Sequence, residues 1–431
     1  MKDSLLHKIL NGLRDMCYIW AKEMRSTFTD EGVLIFCILV PLGYPLLYSW
    51  IYNNEVVRDV PVAVVDLSHS AISREFIRDF DAGSDTKTAY FCTSLDDAKT
   101  LVGKQAVRGI LYFPTDFATR LYRGEQASVG VYCDMSLMLT YKAIYQTAQA
   151  VASQINTNIQ LQQQHNFTQR DEEVSSQPLA FDEVPIFNST GGYGNAILPG
   201  VLILILQQTI LLGIGLSAGT ARENNRYQDL VPISRHYVGI FRIVLGKAMC
   251  YLMIFAVMSA YITLCVPRFF HFTTLVDGFT LAALLLPYLL AAIFFGMAMS
   301  CLVRYRENVM LLVVFTSVPL LFMTGISWPQ SNMPIFLQSL AWLFPSTFGV
   351  RGFLRISSME ASLYDIRTEY QALWLQAASY FFLACAVYRY QINHTRKHAS
   401  AHLEMLKQKA IEAKRKKAEQ ALTDNKHLIT P

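Results

Sequence analysis

The sequence predicts a helical membrane protein, with six transmembrane helices and an extracytoplasmic α/β domain inserted between helices 1 and 2. Three observations carry this. The 431 residues are 52% hydrophobic and only 16% charged, more apolar and less charged than a soluble average. Six windows, residues 32–54, 193–221, 248–267, 278–303, 308–350 and 370–388, contain no Asp, Glu, Lys or Arg, and each supplies the roughly 18 apolar residues that cross a bilayer core. Between the first two windows, strand-like and helix-like segments alternate. A central charge costs about 2.5–3.5 kcal/mol on insertion scales, so six clean windows separated by charged links exclude a soluble chain.

The leader "LLHKILNGLRDMCYIWAKEM" places Leu6, Ile9, Leu13, Met16, Trp20 and Met24 on one helical stripe with Lys and Arg beside it. That predicts a cytoplasmic interfacial helix over 1–30. The next stretch, "GVLIFCILVPLGYPLLYSWIY", follows a leader too long for a signal n-region and ends in aromatics, so 31–52 is a retained span. Lys2, Lys8, Arg14, Lys22 and Arg25 precede it, Arg222, Arg226, Arg235, Arg242 and Lys247 follow the second span, and the tail after Arg389 is the most basic segment. These fall on one side if each window spans once, and the positive-inside rule puts both termini in the cytoplasm.

Residues 53–192 are then outside. "DVPVAVVDLS", "TAYFCTS", "VRGILYFP" and "ASVGVYCD" read as strands, with helices over "SREFIRDFDAG", "SLDDAKTLVGKQ" (Ser94 at its cap) and "TDFATRLYRGE" between them. Such alternation implies a mostly parallel sheet. A polar helix over about 136–165 and an extended linker complete the domain.

Within the membrane region, 193–390, Gln207 and Gln208 are the most conspicuous polar residues. Such amides either hydrogen-bond across to a packed helix or line a path or subunit interface. Pro287 and Pro319 free backbone carbonyls and read as hinges. "MPIFLQSLAWLF", inside 327–350, is too short to cross and predicts a re-entrant or lying helix at the outer interface. In the basic tail, 391–431, His394, His398 and His402 share a helical face but lack an acidic third ligand, so no metal site is assigned. The tail reads as a basic helix leaning on anionic lipid.

Four stretches carry a family resemblance. "WAKEMRSTFTDEGVLIFCILVP", the external segment from "VPVAVVDLSHSAISREFIRDF" to "VGVYCD", "ILPGVLILILQQTILLGIGLSAGTARENNRYQDLVPISRHYVGIFRIVLGK" and "LFMTGISWPQSNMPIFLQSLAWLFPSTFGVRGFLR" occur in the order found in the permease subunit of ABC-2 type exporters. The chain resembles that family over nearly its whole length. The resemblance implies a non-catalytic membrane subunit that moves a substrate outward across the bacterial inner membrane. It implies that loop 220–238 couples to a separate ABC ATPase through Arg222, Glu223, Asp229, Leu230 and Pro232. Here Arg-Glu is followed by Asn224, Asn225, Arg226 and Tyr227, where the family continues with an acidic residue and Gly-Thr. It further implies a pathway or interface at Gln207, Gln208 and Pro319, and an outer gate at Gly325, Pro329, Met333, Pro334 and Pro345.

Catalytic residues, metal ligands and a bound cofactor are not expected on this chain; ATP and Mg would enter through the ATPase. The string from Gly239 to Gly246-Lys247-Ala248 lacks the spacing and the hydroxyl of a phosphate-binding loop. Expected partners are that ATPase, a second copy or a pseudo-twofold permease, a periplasmic adaptor and membrane lipid, with no nucleic acid. The residues also allow a membrane-anchored receptor or scaffold whose external domain binds a partner without transport. The resemblance places the first and third external strands at the sheet centre, which sets Cys92 and Cys133 on opposite edges, about 14 Å apart. Two free, largely buried thiols are therefore expected rather than a disulfide.

Overall fold

A computed structural model describes residues 5–53, 56–163, 187–188, 192–223, 237, 239–300, 305–393, 405 and 408. The loop 224–236, most of the linker after 163 and the histidine stripe of the tail lie outside these residues. The described chain forms two compact units, Asn54–Tyr193 and the remainder.

In the first unit β1 (Val60–Asp66), β2 (Thr86–Phe91), β3 (Gly109–Phe113) and β4 (Gly130–Cys133) form one sheet in the order β2-β1-β3-β4. The first three are parallel, and β4 runs antiparallel to β3. Because β1 is covered on both faces it is a continuous apolar run. Val62 and Val64 join a cluster with Phe76, Phe80, Phe113 and Ile144, whereas Ala63 and Val65 join Ala98, Val107 and Ile110. Thus α3 (Ala71–Asp81) and the long α6 (Met138–Gln163) cover one face, and α4 (Leu95–Gly103) the other. Between β3 and β4 lies the short α5 (Phe117–Tyr122). Ser94 caps α4 by accepting from the Asp97 N–H, and Ser70 and Ser73 form a capping box on α3.

The strand order places Cys92 and Cys133 at opposite edges, each against a different apolar cluster. Both are free, but each is only partly buried, because an edge strand is covered on one side alone. The expectation of largely buried thiols is corrected on that point.

The second unit begins with α1 (Leu5–Thr29) and α2 (Glu31–Ile51), separated by Asp30, whose carboxylate caps α2 by accepting from Gly32 and Val33. Three long apolar helices follow: α7 (Tyr193–Glu223), α8 (Ile240–Phe269) and α9 (Gly278–Ser300). Then come α10 (Arg306–Met323), α11 (Ile335–Ala341), α12 (Pro345–Met359) and α13 over 367–393. Five of these, α2 and α7 to α10, are long and apolar enough to cross a membrane; α13 covers the charge-free window 370–388. Wide π-turns at Ile35–Leu39 and Tyr261–Cys265 come just before Pro41 and Pro267, where a ring without an N–H interrupts the hydrogen-bond ladder.

The core of this unit lies where α7, α9 and α12 meet. The Tyr288 hydroxyl donates to the Ile203 carbonyl at 2.6 Å, and the ring lies flush against Gly349, where a Cβ would collide with it. Pro345 is buried at the first turn of α12, which packs into the interior. The lying segment is shorter than expected: α11 leaves Ile335, Phe336 and Trp342 exposed.

Candidate functional site: a polar collar at the ends of α7 and α8

The residues bordering the 224–236 loop are held by α1. Glu23 is buried, and its carboxylate accepts from Lys247 Nζ at 2.9 and 2.8 Å, from the Tyr251 hydroxyl at 3.0 Å and from Ser217 Oγ at 3.3 Å. A buried ion pair is tolerated when further hydrogen bonds satisfy it, and here Tyr251 and Ser217 supply them. Ser217 belongs to the last turns of α7, and Lys247 and Tyr251 to the first turns of α8. One side chain of α1 therefore binds both helices that the loop connects.

Two contacts extend the grip. Asp15 accepts from Arg242 at 2.8 Å, and Lys22 stands over the Tyr237 ring, 5.6 Å from its centroid. Burial, reinforced by the Glu23 carboxylate, pushes the Tyr237 phenol up to about 12. The packed face of α1 thus runs through Gly12, Ile19, Glu23 and Thr27. The predicted apolar stripe lies along the edge of this face: Trp20 and Met24 pack against the core, whereas Leu13 is 52% exposed.

A second cluster closes the collar. Asp30 accepts from Arg306 Nη2 at 2.8 Å and from the Thr220 hydroxyl at 2.7 Å, while the Arg306 N–H donates to Glu223 at 3.1 Å. Burial acts to raise the Asp30 carboxyl, but the Thr220 hydroxyl, the Val33 N–H and the Arg306 charge outweigh it and hold the group below the ordinary carboxylate range. Arg222 is buried and donates to Gln391 of α13 at 2.8 Å. Arg222 and Glu223 are consequently engaged with their own chain, and Asp229, Leu230 and Pro232 lie outside the described residues.

The other sequence-predicted residues are dispersed. Gln207 is fully buried and donates to Ser346 of α12 at 3.2 Å, as expected of an amide joining packed helices. Neither polar atom of the Gln208 side chain, also buried, meets a partner among the described residues. Pro319 is exposed on α10. Gly325 ends that helix with φ +91°, a left-handed stop that favours glycine. Pro329 and Pro334 begin the next short turns, and Met333 is buried between them. Among the described residues no three His, Cys, Asp or Glu side chains are grouped as a metal site would require.

Sequence reasoning missed Lys247, Tyr251, Ser217, Asp30, Arg306 and Arg242. A signal existed for Lys247, since a lysine seven residues inside an apolar helix demands a buried counter-charge. Its partner lies 224 positions away, beyond any local pattern.

The profile of the ABC-2 family transporter proteins matches residues 32–386. The chain is 22% identical over 340 residues to a probable multidrug ABC transporter permease, YbhR, of Escherichia coli strain K12, covering 75% of this chain and 84% of that protein. The same identity and coverage hold for the YbhR of Escherichia coli O157:H7. With most of its length matched and five helices able to cross a bilayer, the chain is a multi-pass membrane protein and a transport permease of the ABC-2 family.

Proposed function

We propose that this permease is the membrane subunit of an ATP-driven exporter in the bacterial cytoplasmic membrane, with α13 as its sixth span, both termini cytoplasmic and the α/β unit outside. The Lys and Arg distribution supports the orientation. The apolar composition of 370–388 supports the sixth span. Two such subunits, identical or related, would assemble with two ATPase chains that bind ATP and Mg. The similarity to probable multidrug permeases of Escherichia coli supports drugs as the substrate class. A periplasmic adaptor would be a further partner.

The observation that carries the coupling mechanism is the Glu23 cluster, which ties α1 to both ends of the loop. In this reading Asp229, Leu230 and Pro232 meet the ATPase, Arg222 and Glu223 anchor the loop at its start, and α1 passes its displacement to α7 and α8 together. Gln208 and Pro319 would face the path or the second subunit. Gly325, Pro329, Met333 and Pro334, with Pro345 behind them, would form the outer gate.

Co-purification with the ATPase tests the partner contact. Leu230→Asp places a charge in the proposed apolar contact and is expected to abolish co-purification while membrane insertion is retained. Undiminished co-purification would overturn the assignment.

A further inference from the structure

The α/β unit holds a cavity of about 770 Å³ at the carboxyl ends of β1 and β2, beneath α3. Val64, Leu67, Ile77 and Cys92 give it an apolar lining, and Phe91, also lining it, is 71% exposed. Its carboxylates are already engaged. Asp66 accepts from the N–H groups of Ser68 and His69, each at 3.0 Å, and from Ser73 Oγ at 2.8 Å. Asp81 accepts from the N–H and hydroxyl of Thr88 at 2.7 and 2.6 Å, bonds that hold it below the ordinary carboxylate range.

The cationic groups are not used up in this way. Arg74 gives its Nε to the Ser70 carbonyl at 3.2 Å, leaving its two terminal nitrogens for a ligand. Arg78 has only the adjacent Asp79, at 3.5 Å and with its own side chain 75% exposed. The two guanidinia lie one turn apart on α3, so both can reach a single acidic group. Two carboxylates balance two guanidinia in the lining, but the terminal nitrogens of Arg74 and Arg78 remain as charged donors for a ligand, beside an exposed ring and an apolar lining.

We propose that this cavity binds a small organic anion with an apolar, aromatic or acyl body, the acidic group between Arg74 and Arg78 and the body against Phe91 and Ile77. The inference is independent of the transport reading, because its test needs neither the ATPase nor a transported substrate. Cys92 lines the cavity, and Cys133 lies at the opposite edge of the sheet on the other apolar cluster. Iodoacetamide alkylation of both thiols is measured by peptide mass spectrometry on the full chain in lipid nanodiscs. The probes are 1-naphthalenesulfonate, the neutral 1-naphthalenemethanol and 1-naphthylmethylammonium.

The sulfonate alone is expected to slow Cys92 several-fold, without change at Cys133. The combined Arg74→Gln and Arg78→Gln variant should lose that protection; both side chains are exposed, and unaltered Cys133 reactivity verifies the fold. Equal slowing by the neutral or cationic probe, equal slowing at Cys133, protection that survives in the variant, or no protection at all would overturn the proposal.

Discussion

Glu23 and Lys247 form a buried pair in which each charge depends on the other. Removing one partner of such a pair costs about 3–5 kcal/mol, whereas replacing both by apolar groups is often neutral. Glu23→Gln and Lys247→Met should therefore each lower the thermal stability of the purified protein, and Glu23→Leu with Lys247→Met should recover most of the loss. Additive losses in the double variant would show that the two do not act as a pair. Asp30 has a different signature. Its carboxyl is depressed in the fold, so its contribution is present above the ordinary value near pH 4 and is lost as the pH falls through the lower folded-state value. An acid titration of stability should show that loss in the wild type and not in Asp30→Asn. Gly325→Ala puts a Cβ at φ +91°, a change expected to cost about 1–2 kcal/mol and to be visible as a lower melting temperature. In the α/β unit, burial pushes the Cys133 thiol up to about 11 and raises Cys92 through burial and the nearby Asp97. Alkylation of both should accelerate as the pH rises past 8; a plateau of Cys133 near neutral pH would contradict its environment.

At the scale of elements, strands and spans were legible because their signals are local. Val60–Asp66 is apolar because both faces of the sheet are covered, and Ser94 announces α4 because its hydroxyl takes an orphan N–H. Four apolar windows survived almost unchanged as α2 and α7 to α9, and α10 takes only the first part of the window 308–350. The orientation of α1 was legible only in part, since Trp20 and Met24 of the predicted stripe pack against the core but Leu13 does not. Periodicity finds an apolar stripe, but a helix at an interface has two faces to satisfy, and the protein-facing one here contains Glu23 and Thr27. Leu10, Leu13 and Phe28 are left exposed, as a lipid-facing stripe would be. The clusters at Glu23 and Asp30 escaped a local reading because their partners are separated by 190 to 276 positions. In the window 308–350 the segment 327–350 was read apart because it is too short to cross, but freedom from charge does not mark the stop at Gly325 or the buried first turn of α12.

At the scale of the molecule, the proposed orientation is tested with single cysteines in a cysteine-free background. Those at 124, 272 and 331 should react with an impermeant thiol reagent from outside, and those at 225, 305 and 415 should not; external labelling at 225 would reverse the orientation. The central claim is that α1, through Glu23, carries the displacement of the 224–236 loop to the spans. If so, ATP binding to the partner ATPase must be felt at the opposite end of the permease, and must cease to be felt when Glu23 is neutralised. The most direct measurement is the alkylation rate of Ser331→Cys in the cysteine-free permease, assembled with the ATPase in nanodiscs, with and without a non-hydrolysable ATP analogue. With Glu23 intact, the analogue is expected to change the rate several-fold. In Glu23→Gln it should change nothing, although the ATPase still co-purifies. A nucleotide response of the same size in Glu23→Gln would contradict the claim.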